Sequence, residues 1–144
     1  MKRALPWLIT SLVLAMPASA RSDSLRILVT GIENDKGEIN CALFSRDKGF
    51  PERDGGVVQT KRYPAVAGMM TCTFDKVEPG RYAVAVSHDE DGDGEVDATF
   101  RAGSDEAWGV TKNVRSGNRA PKFSEAVIYL SDGMAADYEV AIAR

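Results

Sequence analysis

From Leu25 onward, apolar and polar positions alternate with a period of two rather than 3.6. Leu25, Ile27 and Val29 form one set, the turn signal Asn34-Asp35-Lys36-Gly37 follows, and Ile39, Cys41 and Leu43 form the next. Such spacing puts each set on one face of a strand and predicts a hairpin. Met70, Cys72 and Phe74 repeat the pattern, Pro79-Gly80 turns the chain, and Tyr82, Val84 and Val86 resume it, predicting a second hairpin. A third is expected where Ala126, Ile128 and Leu130 lead through Asp132-Gly133 to Tyr138, Val140 and Ile142, with Asp137 and Glu139 facing outward. Val57-Val58-Gln59-Thr60 adds a short edge strand in a stretch broken by Pro51, Gly55, Gly56 and Pro64. No ten residues carry helical period, so helix is limited to a turn or two, at 45–50 or 104–107. The pattern predicts an all-β fold: an antiparallel sandwich of about seven short strands, each with one inward face, and one long loop.

That loop runs from His88 to Ser124 and is rich in Gly, Asp and Asn. Connections beyond about 12–15 residues are uncommon unless they carry function or are disordered. Phe100 and Trp108 lie inside it, and bulky aromatics bury large areas wherever a surface is offered. The loop is therefore read as folded and packed on the sandwich.

Ahead of the alternation stand Lys2-Arg3, an apolar run from Ala4 to Met16 and the small-residue end Ala18-Ser19-Ala20, the pattern of a cleaved signal peptide over residues 1–20. The remainder, 21–144, has the length of a single β-sandwich domain. The reading places it in the periplasm or outside the cell, with no membrane insertion after cleavage and no lipid anchor, since no Cys follows the cleavage point. The whole chain carries a formal charge of −3, and loss of Lys2 and Arg3 makes the rest more acidic still. No basic block offers itself to nucleic acid. One His and two Cys exclude a multi-histidine metal centre and a Cys-rich scaffold.

The strongest chemical signal is His88-Asp89-Glu90-Asp91-Gly92-Asp93-Gly94-Glu95-Val96-Asp97. Counted from Asp89, carboxylates occupy positions 1, 3 and 5, Gly position 6, an aliphatic residue position 8 and a carboxylate position 9, as in the front of an EF-hand loop. Asp89, Asp91 and Asp93 would give carboxylate oxygens, Glu95 its carbonyl, and Asp97 an oxygen directly or through water. Position 12 is Phe100, so the bidentate acid is missing, and a strand precedes the loop where an EF-hand has a helix. Asp105 and Glu106 are the candidates for the missing oxygens. Calcium, which takes six to eight oxygens in flexible geometry, suits the set better than magnesium. The competing reading is a solvated acidic turn, although six carboxylates in nine residues repel one another without a cation.

His88 beside Asp89 invites a base-and-orienter reading, but neighbouring strand residues point to opposite faces. No nucleophile elbow or second His supports it. Cys41 and Cys72, both on inward sets, are expected to form a disulfide in an oxidising compartment, the alternative being two buried thiols. Trp108-Gly109-Val110-Thr111-Lys112-Asn113 sets an aromatic ring, a hydroxyl and an amide together. Trp108, Thr111 and Asn113 are candidates for a partner-binding loop, or Trp108 simply pins the segment to the sandwich.

Four motifs carry a resemblance. Val77-Glu78-Pro79-Gly80-Arg81-Tyr82-Ala83-Val84-Ala85-Val86, the acidic run from His88, the Trp108 segment and Pro121-Lys122-Phe123-Ser124-Glu125-Ala126 resemble, in order, an uncharacterised exported bacterial family, domain of unknown function 2141. Asp91 and Asp93 stand where that family usually has asparagine, which favours a cation; Ser104 stands where proline is usual. The Pro79-Gly80-Arg81-Tyr82 turn is also similar to prealbumin-like and carboxypeptidase-regulatory-like domains, implying an Ig-like, transthyretin-type sandwich. No activity comes with the family. Three readings of function follow: a non-enzymatic exported module with a structural calcium and a protein or glycan partner; a small hydrolase using His88, Asp89 and a metal-activated water; and a weak calcium buffer.

Overall fold

The computed structural model describes residues 23–52 and 54–144; the expected leader lies outside them. The described residues form eight strands: β1 (Leu25–Ile32), β2 (Glu38–Phe44), β3 (Val57–Pro64), β4 (Gly68–Phe74), β5 (Gly80–Asp89), β6 (Trp108–Val110), β7 (Ile128–Leu130) and β8 (Ala136–Ala141). They build two sheets, a three-stranded one in the order β4-β1-β8 and a five-stranded one in the order β3-β2-β5-β6, with β7 also pairing β5. The expected sandwich is present. All its pairs are antiparallel except β1 with β8, which is parallel.

None of the three expected hairpins forms. β1 pairs β4 and β8 while β2 pairs β3 and β5; β4 and β5, and likewise β7 and β8, also fall in different sheets. Alternation fixes which face of a strand is buried, but it does not choose the strand's neighbour. A short turn between two such strands can close a hairpin or arch from one sheet to the facing one. Here the chain arches, so the apolar sets of β1 and β2 meet across the interior instead of lining one surface. The strand near Val57 extends to Pro64 and is an edge strand, as expected. Residues 45–50 and 104–107 form turns and bends; among the described residues the one α-helical turn is α1 (Phe123–Ala126), which takes Ala126 out of the expected strand, and 3-10 turns stand at Asp54–Gly56 and Thr111–Asn113.

The interior between the sheets is built from Leu25, Ile27, Val29, Ile39, Leu43, Phe74, Val84, Val86 and Val140, all fully buried. Cys41 of β2 and Cys72 of β4 form the expected disulfide at its centre, tying the two sheets together. The exposed edges of β3 and β4 are joined by side chains: Tyr63 Oη accepts the Thr73 N–H at 3.2 Å, and Gln59 Nε2 donates to the Asp75 carbonyl at 2.9 Å. Occupying these ladder groups blunts an edge that would otherwise template pairing with another chain.

A second apolar layer covers the outer face of the five-stranded sheet. Phe44, Ala83, Ala85, Phe100, Trp108, Val110, Phe123, Ala126 and Val127 pack there, and they come largely from the chain after β5. The long segment is thus folded and self-packed, as read from its aromatics. Burial on both faces explains why β5 is buried continuously from Ala83 to Asp89.

Candidate metal centre

β5 ends on Asp89, whose side chain shares the outer face with Ala83, Ala85 and Ser87 and is fully buried. Gly37, at φ 64°, lies directly against this strand end: a Cβ there would fall 1.8 Å from the Asp89 carbonyl oxygen. Only glycine fits both that conformation and that approach. The Asp89 carboxylate accepts the N–H groups of Gly92 at 2.8 Å and Gly94 at 3.0 Å; Asp91 accepts from Asp93 at 3.1 Å, and Asp93 from Glu95 at 2.8 Å. Short acidic side chains bonding backbone a few residues on are what curl this loop.

The curl brings two sets of oxygens together. One carboxylate oxygen from each of Asp89, Asp91 and Glu106 lies within 4.8 Å of the others, and so does one from each of Asp91, Asp93 and Asp97. Asp91 belongs to both sets. Glu106 holds the loop through Oε2, which accepts the Asp97 N–H at 3.0 Å, while its Oε1 is buried with no partner. Burial foremost, then the charges of Asp89 and Asp97, push its carboxyl up to about 7 against hydrogen bonds from the Asp97 and Ala98 backbone. The Asp91 carboxyl is lowered by the Asp93 N–H but raised more by its contact with Asp89 and by repulsion from its neighbours, for a net rise. A cluster short of positive charge is the environment a hard cation relieves.

Of the expected ligands, Asp89, Asp91, Asp93 and Asp97 are brought together with Glu106. Glu95, expected to give its backbone carbonyl, has an exposed side chain whose carboxylate lies outside both sets, and Asp105 turns its backbone carbonyl to Arg144 Nε at 3.0 Å. The Arg144 guanidinium sits at the rim, bonded to Glu90 and, at 2.6 Å, to Glu33. It holds the Glu90 carboxyl below its ordinary value in spite of burial. Nothing local to the acidic run announces Arg144, which lies 54 positions from Glu90.

His88 occupies the opposite face of β5, fully buried, with Nε2 2.7 Å from the Lys36 carbonyl. It therefore donates from Nε2, and Nδ1 has only the Glu90 carboxylate 3.9 Å away. A sealed imidazole bound to backbone has no route to a substrate, so the hydrolase reading loses its base. Trp108 is buried against Phe100, with ring centroids 5.5 Å apart, its Nε1 donates to the Arg101 carbonyl at 3.2 Å, and Arg115 stacks 4.2 Å from its centroid. Thr111 Oγ1 donates to the Ala126 carbonyl and accepts the Val84 N–H, and Asn113 Oδ1 accepts the Ala141 N–H at 2.8 Å. All three candidates of this loop are engaged within the fold, Trp108 in the pinning role.

The profile of a bacterial family described as an uncharacterized protein conserved in bacteria (DUF2141) matches residues 27–137. The chain belongs to this family. No curated protein and no solved structure matches it. The match spans β1 to the start of β8 and includes every residue of the two acidic sets, so the cluster lies inside the family's domain. Among the described residues no helix is long and apolar enough to cross a membrane.

Proposed function

We propose that this family member is an exported, non-enzymatic β-sandwich module that holds a structural calcium ion between Asp89, Asp91 and Glu106, with Asp93 and Asp97 alongside, and acts through contact with a protein or glycan. The observation that carries the reading is Glu106: a buried carboxylate with an unpartnered oxygen, among other carboxylates and with no cation bonded to it. An uncompensated charge of that kind is costly in a protein interior. A divalent cation offsets it and ties the long segment to the end of β5. The disulfide fits an oxidising compartment outside the cytoplasm. Glu95 and Val96, exposed beside the cluster, belong to the surface that a cation would order for a partner.

The test is a thermal melt in chelator and then in millimolar calcium, with magnesium as control. At 100-fold excess over Kd, one site adds about 2.7 kcal/mol, a rise of several degrees for a domain of this size. The rise is expected with calcium and absent in Asp89→Asn and Glu106→Gln. An unchanged midpoint in calcium, with identical proteolysis of residues 90–107 in both buffers, returns the cluster to a solvated acidic turn.

A further inference from the structure

Between the five-stranded sheet and its outer layer lies a partly enclosed hollow of about 140 Å³. Its floor is one row across the sheet, Arg62 of β3, Asn40 of β2 and Ser87 of β5, which the ladders place side by side. The next row, Thr60, Ala42 and Ala85, is small, and the missing side-chain volume makes the hollow. Phe44 and Val57 close one side, and Val96 and Phe100 of the long segment form the roof. Phe100 is held at φ 51°, a conformation uncommon for an aromatic residue.

Asn40 is the unexplained group. It is 94 % buried by its 6 % exposure, in a wall otherwise mostly apolar, and neither its Nδ2 nor its Oδ1 has a partner among the described residues. Buried side-chain amides are nearly always hydrogen-bonded, and one left without bonds costs stability. A partly enclosed hollow with apolar walls over a polar floor, in which a buried amide offers an unused donor and acceptor together, has the make-up of a small-molecule site. A cavity of about 150 Å³ takes one benzene ring.

The geometry points to a ligand site on this face for a small neutral ring or chain end that carries an acceptor and an N–H donor side by side, as in a lactam or primary carboxamide, paired face to face with Asn40. The charged groups at the hollow are already engaged, Glu52 with Arg101 at 3.5 Å and Arg62 with the Gly94 carbonyl, so the buried polar atoms left without a partner there, among the described residues, are the donor and acceptor of Asn40. The site is separate from the metal centre but adjoins it. Arg62 Nη2 donates to the Gly94 carbonyl at 3.0 Å, so the floor of the hollow and the acidic loop share a side chain.

The probe is 2-piperidinone, titrated into the isotope-labelled protein in chelator so that the outcome does not depend on calcium. Saturable shifts are expected at the Asn40 side-chain amide and at the backbone of Ala42, Ala85, Ser87 and Val96, with an affinity on the order of millimolar for so few atoms. N-Methyl-2-piperidinone keeps the ring and loses the donor, and should bind about tenfold more weakly. Asn40→Ala should abolish the preference between the two. Absence of saturable shifts in the wild-type protein overturns the site, and so does equal binding of the two lactams, a comparison that stands even if the variant fails to fold. Either failure leaves the calcium melt unaffected.

Discussion

The two sheets of this sandwich are covered in different ways. The three-stranded sheet buries one face and leaves the other to water, where Arg26, Thr71, Asp137 and Glu139 stand. The five-stranded sheet buries both: its inner face against branched aliphatics of the other sheet, its outer face under an irregular segment carrying Phe100 and Trp108. The inner contact is apolar but for His88 at the end of β5, which is bonded to the Lys36 carbonyl. The outer contact mixes alanines and aromatics with buried Asn40, Ser87, Asp89, Glu106 and Thr111. Candidate chemistry collects on the outer face because an irregular chain can bring polar groups to a sheet without the constraint of a facing ladder, and because such groups must there be bonded to something.

The sharpest way to break this arrangement is to remove the pin of the outer layer. Trp108 is 1 % exposed, and Trp108→Ala should cost about 3–5 kcal/mol in denaturant unfolding. Trp108 is the one tryptophan of residues 21–144, so in that stretch of chain tryptophan fluorescence is lost with it and circular dichroism is the readout. A cost under about 1 kcal/mol would mean that the outer layer contributes little to the cooperative fold.

The inner contact is tested by replacing both Cys41 and Cys72 with alanine. The bridge joins residues 31 apart in sequence and links the two sheets, so its loss should cost about 3–4 kcal/mol by the chain-entropy account. Hydrogen exchange distinguishes the two variants. The cysteine change should speed exchange in β1, β2 and β4, and the Trp108 change should do so first in β6 and residues 90–107.

These same contrasts show what could be read in advance. The inward sets at Leu25, Ile27 and Val29, at Ile39, Cys41 and Leu43, and at Met70, Cys72 and Phe74 were legible because a period of two depends on local geometry alone. Their partners were not, since an arch and a hairpin have the same turn residues. The acidic run showed Asp89, Asp91, Asp93 and Asp97 through their spacing, and Glu106 only as one of two nearby acids. Burial of Glu106, which gives it its perturbed carboxyl, comes from tertiary packing. Gly37 was legible as a turn residue but not as the seat of the Asp89 carbonyl, and Arg62, Arg144 and Asn40 carry no local signal, because each matters through a residue at least 32 positions away or through a cavity between strands.

Glu106 also sharpens the comparison through pH. The folded protein holds its proton up to about 7, whereas the ordinary value is 4.5. Its contribution is thus fully present below 4.5 and lost as pH rises through 7. In chelator, stability should fall between about pH 5 and pH 8, by up to about 3 kcal/mol from this group, and Glu106→Gln should flatten that slope. Calcium should oppose the fall, because its ligands bind as carboxylates and affinity rises with pH. A metal-free protein whose stability is level over this range would show that Glu106 is solvated and not sealed beneath the loop.

The smallest effect belongs to the wet face. Arg26 and Asp137 are direct neighbours on the β1–β8 ladder and are bidentate at 2.6 and 2.8 Å, yet both side chains are more than half exposed. Water and salt screen such a pair, and two long side chains must be ordered to make it. Arg26→Ala should barely move the melting midpoint, and whatever loss appears should vanish as salt is added. The parallel β1–β8 pairing makes this informative. If it depended on the ion pair, the loss would persist in salt and exchange would quicken along β8; if Val140, Ile142 and the backbone ladder hold it, neither will happen. The second outcome is expected, because Val140 is fully buried and Ile142 nearly so, while the charges lie on the face that the fold leaves to solvent.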